Sequence, residues 1–183
     1  MTRCGLPLPL PDSFKIKEML GRISQINISH GGVPKHPVPD AMVHPLGVEG
    51  DAHAHPHIHG GPNQAILLIT SEAIEELRSQ GFPVYPGALG ENVTTEGIDR
   101  RQMRAGQRYR LGDVIIELTK VRAPCNQLDG YGAGIHQAMY NKPAVKAGDA
   151  STPTWAISGF YAAVIQGGMI RVGAPIVLLD QSA

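Results

Sequence analysis

The sequence has few cysteines, no net charge and no long apolar run, and each absence excludes a class of protein. Two cysteines among 183 residues, Cys4 and Cys125, argue against a disulfide framework. Sixteen Lys and Arg balance sixteen Asp and Glu, so no net charge is available to attract nucleic acid or anionic lipid. No stretch approaches the roughly 20 apolar residues of a membrane span, and the start lacks the apolar run of a signal peptide. We therefore expect a cytoplasmic protein that binds neither nucleic acid nor membranes.

Turn-forming residues, by contrast, are abundant. The chain contains 22 glycines and 15 prolines, and because both residues break helices, this composition favours a turn-rich β fold. An apolar fraction of 42% with 17% charged residues is typical of a globular chain. At this length one domain is expected. We expect residues 1–18 to form a flexible N-terminal arm and residues 19–183 to form the domain.

Short β-branched and alternating apolar runs indicate strands along most of the chain. The predicted strands cover 21–29, 65–69, 92–95, a hairpin over 103–122, and a pair over 157–165 and 170–179. A short helix is predicted after 65–69, with Thr70 or Ser71 as its N-cap and Gly81 at its end. Long antiparallel meanders hide their edges by closing. The predicted fold is therefore mainly β, a closed or nearly closed structure with one or two small helices.

Four histidines stand at every second position in His53-Ala-His55-Pro-His57-Ile-His59. In an extended chain all four would project to one side, and imidazole suits zinc, iron, copper or nickel. Pro56 interrupts that geometry, and cysteine ligands are absent nearby. The row is either a metal site or a histidine-rich loop.

Cys125 follows a predicted strand directly in Arg122-Ala-Pro-Cys125, and Pro124 ends that strand. Arg122 stands three residues earlier and brings a guanidinium into the same strand-end segment. A nearby guanidinium favours the thiolate, which is the form that binds a soft metal or carries a transferable sulfur. The alternative is an inert buried cysteine.

Three glycine-rich turns carry polar side chains. They are Gly47-Val-Glu-Gly-Asp51, His59-Gly-Gly-Pro-Asn-Gln64 and Gly87-Ala-Leu-Gly-Glu-Asn92. Backbone amides in such turns can bind phosphate or a ring edge, although turns of this composition often have no ligand.

Together these pieces resemble one family in order and spacing, the MOSC domain, named for the C-terminal region of molybdenum cofactor sulfurases. The resemblance spans about residues 19–179. The matching motifs are Gly47-Val-Glu-Gly-Asp51, His59-Gly-Gly-Pro62 with Gln64-Ala65, Gly87-Ala-Leu-Gly-Glu-Asn92, Leu111-Gly-Asp113, Arg122-Ala-Pro-Cys125, and Gly159-Phe-Tyr-Ala162 before Val172-Gly173.

The resemblance implies a MOSC-type β-barrel, a pocket for the molybdenum cofactor (Mo-molybdopterin) and a cysteine that ligates molybdenum or handles sulfur. In this sequence that cysteine is Cys125. The cofactor sulfurases of the family carry a separate pyridoxal-phosphate domain, so pyridoxal phosphate is not expected in this chain. Where the family often has arginine, this chain has Gln64, which removes one cation that could meet the pterin phosphate.

Stand-alone bacterial members are similar to proteins that reduce N-hydroxylated base analogues with molybdenum. On that reading Cys125 ligates molybdenum, Arg122 stabilises charge, and Asp51 or His59 supplies a proton. The expected cofactor contacts are Glu91, Asn92, Gly90, Gly60, Gly61 and Gln64. Electrons would come from a separate reductase, because the sequence has neither an iron–sulfur cysteine set nor a flavin motif.

Two alternatives from other classes stay open. The first is a sulfur-carrier or cofactor-delivery protein with a persulfide on Cys125. The second is a metalloenzyme centred on the histidine row. For the protein as a whole we also consider a homodimer, since outward apolar residues on edge strands can mediate pairing.

Overall fold

A computed structural model describes residues 8–11, 14–52 and 60–181 of the chain, and strands dominate it. The strands are β1 (Phe14–Ile28), β2 (His36–Val38), β3 (Asp40–His44), β4 (Gly47–Val48), β5 (Ile66–Thr70), β6 (Val93–Glu96), β7 (Arg108–Leu111), β8 (Val114–Val121), β9 (Phe160–Gln166), β10 (Gly168–Arg171) and β11 (Pro175–Gln181). The helices are α1 (Ser71–Ser79), α2 (Ile135–Met139) and α3 (Lys142–Ala147).

Seven strands close into a barrel in the order β11, β7, β8, β9, β5, β6 and β1. The barrel closes where β1 pairs with β11, from Phe14 opposite Gln181 to Arg22 opposite Pro175. Pairing is antiparallel around the ring except between β5 and β6, which are parallel. β2 extends the sheet beyond β1, and β10, β3 and β4 form a second, three-stranded sheet. The predicted mainly β, barrel-type fold is confirmed.

The barrel interior is filled by aliphatic side chains that alternate along the strands, as a half-buried strand requires. Inward residues of β8 such as Val114, Ile116 and Leu118 are fully buried, as their alternation predicts. Every residue of β5 is buried. The continuous apolar run that precedes Thr70 in the sequence therefore marks a strand covered on both faces.

The predicted helix after β5 is confirmed as α1. The Thr70 side-chain oxygen accepts a hydrogen bond from the Ala73 N–H at 3.1 Å, which satisfies a backbone donor that the first helical turn leaves free. Ile74 and Leu77 bury the inner face of the helix in a second apolar cluster outside the barrel. Within the described part of the chain, no helix has the length and apolar character needed to cross a membrane.

Two sequence predictions need correction. The boundary after residue 18 is wrong for residues 14–18, because β1 already begins at Phe14 and pairs there with β11. Leu8 also contacts the barrel, where its N–H donates to the Asp113 carboxylate at 2.7 Å. The predicted strand over 170–179 is two strands, since β10 ends at Arg171 and pairs with β3 before the chain turns into β11.

Candidate functional site

A narrow cleft of about 60 Å³ lies between the residues that follow β8 and those that precede β6. The turn before β5 and the loop before β2 complete its walls. Its polar lining consists of Lys35, Gln64, Asn92, Arg122, Cys125, Gln127 and Tyr161. Apolar atoms of Leu67 and Leu89 form part of the wall. The cleft therefore combines two cations, a thiol and several hydrogen-bonding groups.

Cys125 stands immediately beyond β8, where Pro124 separates it from the strand. Its thiol is half-buried and unbridged, and its Sγ lies 4.0 Å from Nη2 of Arg122. Residues 126–131 then turn away as a short 3₁₀ helix. The strand end thus places a guanidinium beside a thiol that lines the cleft.

Arg122 is held rigidly by its backbone. Its N–H donates to the Gly159 carbonyl at 2.9 Å, and its carbonyl accepts from the Ser158 hydroxyl at 2.6 Å. The residue is only 3% exposed, yet Nε and Nη1 have no hydrogen-bond partner among the described residues. Unpartnered buried donors are costly and call for an explanation. They suit a negatively charged ligand in the cleft.

Tyr161 adds a phenol to the same wall. Burial raises the pKa of its hydroxyl, and the charge and hydrogen bond of Arg122 oppose that rise. The phenol is therefore a neutral hydrogen-bonding group at physiological pH.

Lys35 and Asp51 form a buried ion pair on the opposite wall, with side chains 6% and 3% exposed. The second Asp51 contact comes from Asn92, whose Nδ2 donates to Oδ2 at 2.8 Å. The third comes from the Ser29 N–H, which donates to Oδ1 at 2.9 Å. Asp51 therefore supports the cleft from behind, through Lys35 and Asn92.

Asn92 lines the cleft, but both ends of its amide are used within the wall. Its Oδ1 accepts from the Leu67 N–H at 3.2 Å, and its Nδ2 is bonded to Asp51. Its backbone N–H also donates to the Leu67 carbonyl at 2.9 Å. Asn92 therefore fixes the start of β6 against β5.

Glu91 lies outside the described lining of the cleft, although the sequence predicts it as a cofactor contact. It is fully buried, and its Oε1 accepts from the Gly87 N–H at 2.6 Å and from the Thr94 hydroxyl at 3.0 Å. Oε2 has no partner among the described residues. Burial raises the pKa of the carboxyl, while its hydrogen bonds and the Arg122 charge oppose the rise. Glu91 closes the turn that carries Asn92.

Two glycines of that turn are required by close packing. A Cβ on Gly87 would lie 2.4 Å from the Lys35 carbonyl oxygen, and one on Gly90 would lie 2.8 Å from Val33. Both have positive φ, 93° and 87°. The turn can therefore press against the loop that carries Lys35 only because these side chains are absent.

Of the remaining predicted contacts, Gln64 lines the cleft, whereas Gly60 and Gly61 do not belong to its described lining. His59 and the rest of the histidine row, His53 to His57, fall outside the described residues. Across 8–11, 14–52 and 60–181, no three His, Cys, Asp or Glu side chains are grouped to hold a metal ion. In this part of the chain, Cys125 is the cleft's soft metal donor.

Sequence reasoning missed Lys35 and Tyr161. Lys35 lies in a proline-rich loop, where the sequence predicts a solvent-exposed lysine. Its burial depends on the ion pair with Asp51, sixteen residues later. Tyr161 is indistinguishable from a core residue of β9 by its pattern. No local signal identifies either one as a cleft residue.

The amino-acid sequence of this chain is similar to those of several known proteins. The chain is 28% identical to Protein YiiM of Escherichia coli over 148 residues, which cover 78% of this chain and 60% of that protein. A Gibberella moniliformis protein named Reductase is 34% identical over 88 residues, 45% of this chain and 16% of that protein. The chain thus spans three fifths of the length of the Escherichia coli protein.

Solved structures agree with the barrel. The crystal structure of YiiM from Geobacillus stearothermophilus superimposes with a TM-score of 0.62 at 27% identity, covering 87% of this chain and 75% of that one. The MOSC domain model matches residues 55–177, more than half of the chain. That range contains the turn of Gly87 and the pair Arg122 and Cys125. The chain therefore belongs to the MOSC domain family, which is known for binding the molybdenum cofactor.

Proposed function

We propose that this protein binds the molybdenum cofactor in the cleft and reduces N-hydroxylated compounds, with Cys125 as the protein ligand of molybdenum. One observation carries the proposal. A half-buried thiol lies 4.0 Å from a buried guanidinium that keeps two nitrogens without partners in the described structure. A soft donor beside an unsatisfied cation suits an anionic group that contains a soft metal.

The residues of the cleft fit such a group chemically. Thiolate is a soft ligand, and Arg122 offers N–H donors to phosphate or dithiolene charge. Gln64 also lines the cleft and can donate a further hydrogen bond. These features support the proposal.

When bound, the cofactor supplies the two-electron redox chemistry, and the protein contributes binding, orientation and charge. Cys125 holds the metal through its thiolate, and Arg122 offsets negative charge beside it. Asn92 and Asp51 keep the opposite wall rigid through the hydrogen bonds described above. Tyr161 offers a neutral hydroxyl. Electrons come from a separate reductase protein.

The same thiol also suits the alternative in which Cys125 carries a persulfide for delivery, because a guanidinium stabilises a persulfide anion as it does a thiolate. Turnover separates the two functions. A reductase consumes many equivalents of substrate per cysteine, whereas a carrier transfers one sulfur per loading.

The experiment is elemental and pterin analysis of protein made in a host that synthesises the molybdenum cofactor. Cys125→Ala is compared with Cys4→Ala, the matched control at the other cysteine. We expect molybdenum in the wild type and in Cys4→Ala, and little in Cys125→Ala. Loaded protein should then reduce an aryl hydroxylamine with dithionite as the electron source. Molybdenum that persists without Cys125, or loaded protein that turns over no hydroxylamine, contradicts the proposal.

A further inference from the structure

Lys35 is a buried lysine to which the proposed function assigns no task. Its side chain is 6% exposed and lines the cleft. Fully buried lysines are rare unless paired, because an ammonium loses strong hydration on burial. Its backbone N–H donates to the Gly87 carbonyl at 2.9 Å, so the loop before β2 is fixed to the glycine turn. Lys35 and Asp51 both precede residue 55, where the match to the family model begins.

Asp51 holds the Lys35 ammonium in place. The hydrogen bonds of the Asp51 side chain described above are all donations to its carboxylate, from Lys35, from Asn92 and from the Ser29 N–H. These contacts occupy both oxygens and leave Asp51 as an acceptor. Lys35, in contrast, has three N–H bonds, and its ion pair with Asp51 uses one. The ammonium therefore has protons available on the cleft side of the pair.

The charges around Lys35 come from several elements. Asp51 follows β4, Glu91 precedes β6, Arg122 and Cys125 follow β8, and Tyr161 belongs to β9. Burial lowers the pKa of Lys35, and the charge and hydrogen bond of Asp51 and the charge of Glu91 offset only part of that effect. An ammonium with a lowered pKa releases its proton more readily near neutral pH than a surface lysine does.

We propose that Lys35 donates the proton that the leaving oxygen of the substrate needs, and that Asp51 is the positioning residue that holds Lys35 for this transfer. The inference rests on the reductase function proposed above. It replaces the expectation that Asp51 itself supplies a proton, because the Asp51 carboxylate only accepts hydrogen bonds.

The reaction balances as R–NHOH plus two electrons and two protons giving R–NH₂ and water. The N–O bond breaks, and a reduced flavin or iron–sulfur electron-donor protein is oxidised. Lys35 gives one proton to the leaving oxygen, so that water departs instead of hydroxide. The second proton reaches nitrogen from solvent, and solvent returns a proton to the neutral Lys35 amine. General-acid help of this kind contributes about 10²- to 10⁴-fold to rate.

The first test is a titration that does not depend on activity. Lysine side chains labelled with ¹³C at Cε are followed by NMR, and Lys35→Gln identifies the Lys35 signal among the six lysines. We expect Lys35 to titrate at lower pH than the other lysines, and lower still in Asp51→Asn. A Lys35 signal that titrates with the surface lysines overturns the proposal.

The second test uses Lys35→Arg in cofactor-loaded protein, with Lys142→Arg at an exposed lysine as the matched control. Arginine keeps the charge but does not release its proton in the accessible pH range. We expect Lys35→Arg to retain molybdenum and to reduce an aryl hydroxylamine at least about 100-fold more slowly. On the O-acetyl hydroxylamine, Lys35→Arg should lower the rate by less than about 10-fold, because acetate can leave without receiving a proton. Equal losses on both substrates, or none, overturn the proposal.

A third readout needs no variant. In the wild type, kcat should fall as pH rises through the Lys35 titration measured by NMR, because the neutral amine has no proton to give. A kcat that stays constant across that pH range overturns the role of Lys35 and leaves the reductase function intact. Loaded wild type that reduces neither substrate overturns both.

Discussion

Arg122 combines near-complete burial with two nitrogens that lack partners in the described structure. Such a residue lowers the stability of the empty protein and is retained for what it binds. We expect Arg122→Met to raise the free energy of unfolding of cofactor-free protein by about 1–3 kcal/mol, the usual cost of an unsatisfied buried group. The same variant should lose bound molybdenum. Urea unfolding and elemental analysis measure the two effects, and a less stable Arg122→Met protein contradicts this account.

Glu91 makes stability depend on pH. Its pKa is raised in the folded state, so the folded protein binds the proton more tightly than the unfolded chain does. Stability therefore falls as pH rises from the ordinary glutamate value to the raised pKa. Glu91→Gln removes this dependence, and its stability relative to the wild type should increase with pH from 4.5 to 8 in urea titrations. Glu75→Gln, at an exposed position, serves as control, and a pH-independent difference at Glu91 counts against the assignment.

At the scale of single elements, the glycine turn before β6 sets the shape of the cleft. Gly87→Ala should lower the free energy of unfolding by about 3 kcal/mol, because positive φ and a clash with the Lys35 carbonyl act together. Gly134→Ala has a similar φ of 87°, in the left-handed helical region, but open space around its Cβ, and should cost about 1 kcal/mol. Equal costs for the two variants in thermal or urea unfolding would show that the close contact is unimportant.

The helix cap of α1 provides a second element-scale test. Thr70→Ala removes the oxygen that accepts from the Ala73 N–H and should cost about 1 kcal/mol. Ser71→Ala, one residue later, changes only an exposed contact with Glu72 and should be nearly neutral. Thermal unfolding of both variants measures the difference.

The elements that sequence reasoning predicted well are those with a local signal. The buried run before Thr70, the hairpin around Gly112 and the N-cap of α1 each follow from neighbouring residues. The sequence prediction starts β1 too late, although Phe14 and Ile16 alternate with lysines as in a strand. This stretch is largely exposed, and its partner β11 lies at the far end of the sequence, so its pairing does not follow from neighbouring residues.

In the cleft, too, residues with a local sequence signal could be predicted, and residues that depend on distant contacts could not. The pair Arg122 and Cys125 could be predicted, since the two residues are only three positions apart in the segment that follows one strand. Lys35 could not, because its burial comes from Asp51 and from a glycine turn more than fifty residues away. Glu91 was predicted as a cofactor contact, but the direction of its carboxylate depends on the backbone of Gly87, which only the folded turn defines.

At the scale of the whole molecule, positive and negative side chains are equal in number. The formal net charge is zero at pH 7 with histidine counted as neutral, and the sequence pI is about 7.1. Because proteins without net charge repel one another least, we expect solubility in polyethylene glycol to be lowest near pH 7 and to rise toward pH 5.5. Precipitation curves measure it, and a minimum well away from neutrality contradicts the expectation.

The closing of the barrel by β1 and β11 has a consequence for how the protein is made. On the ribosome β1 emerges before β11, so the seam from Phe14 to Arg22 stays open until β11 has been made. An unpaired strand edge of this kind invites wrong partners, and pairing between distant segments slows folding. The nascent chain therefore completes its barrel only after synthesis has passed β11, and in that interval it depends most on chaperones.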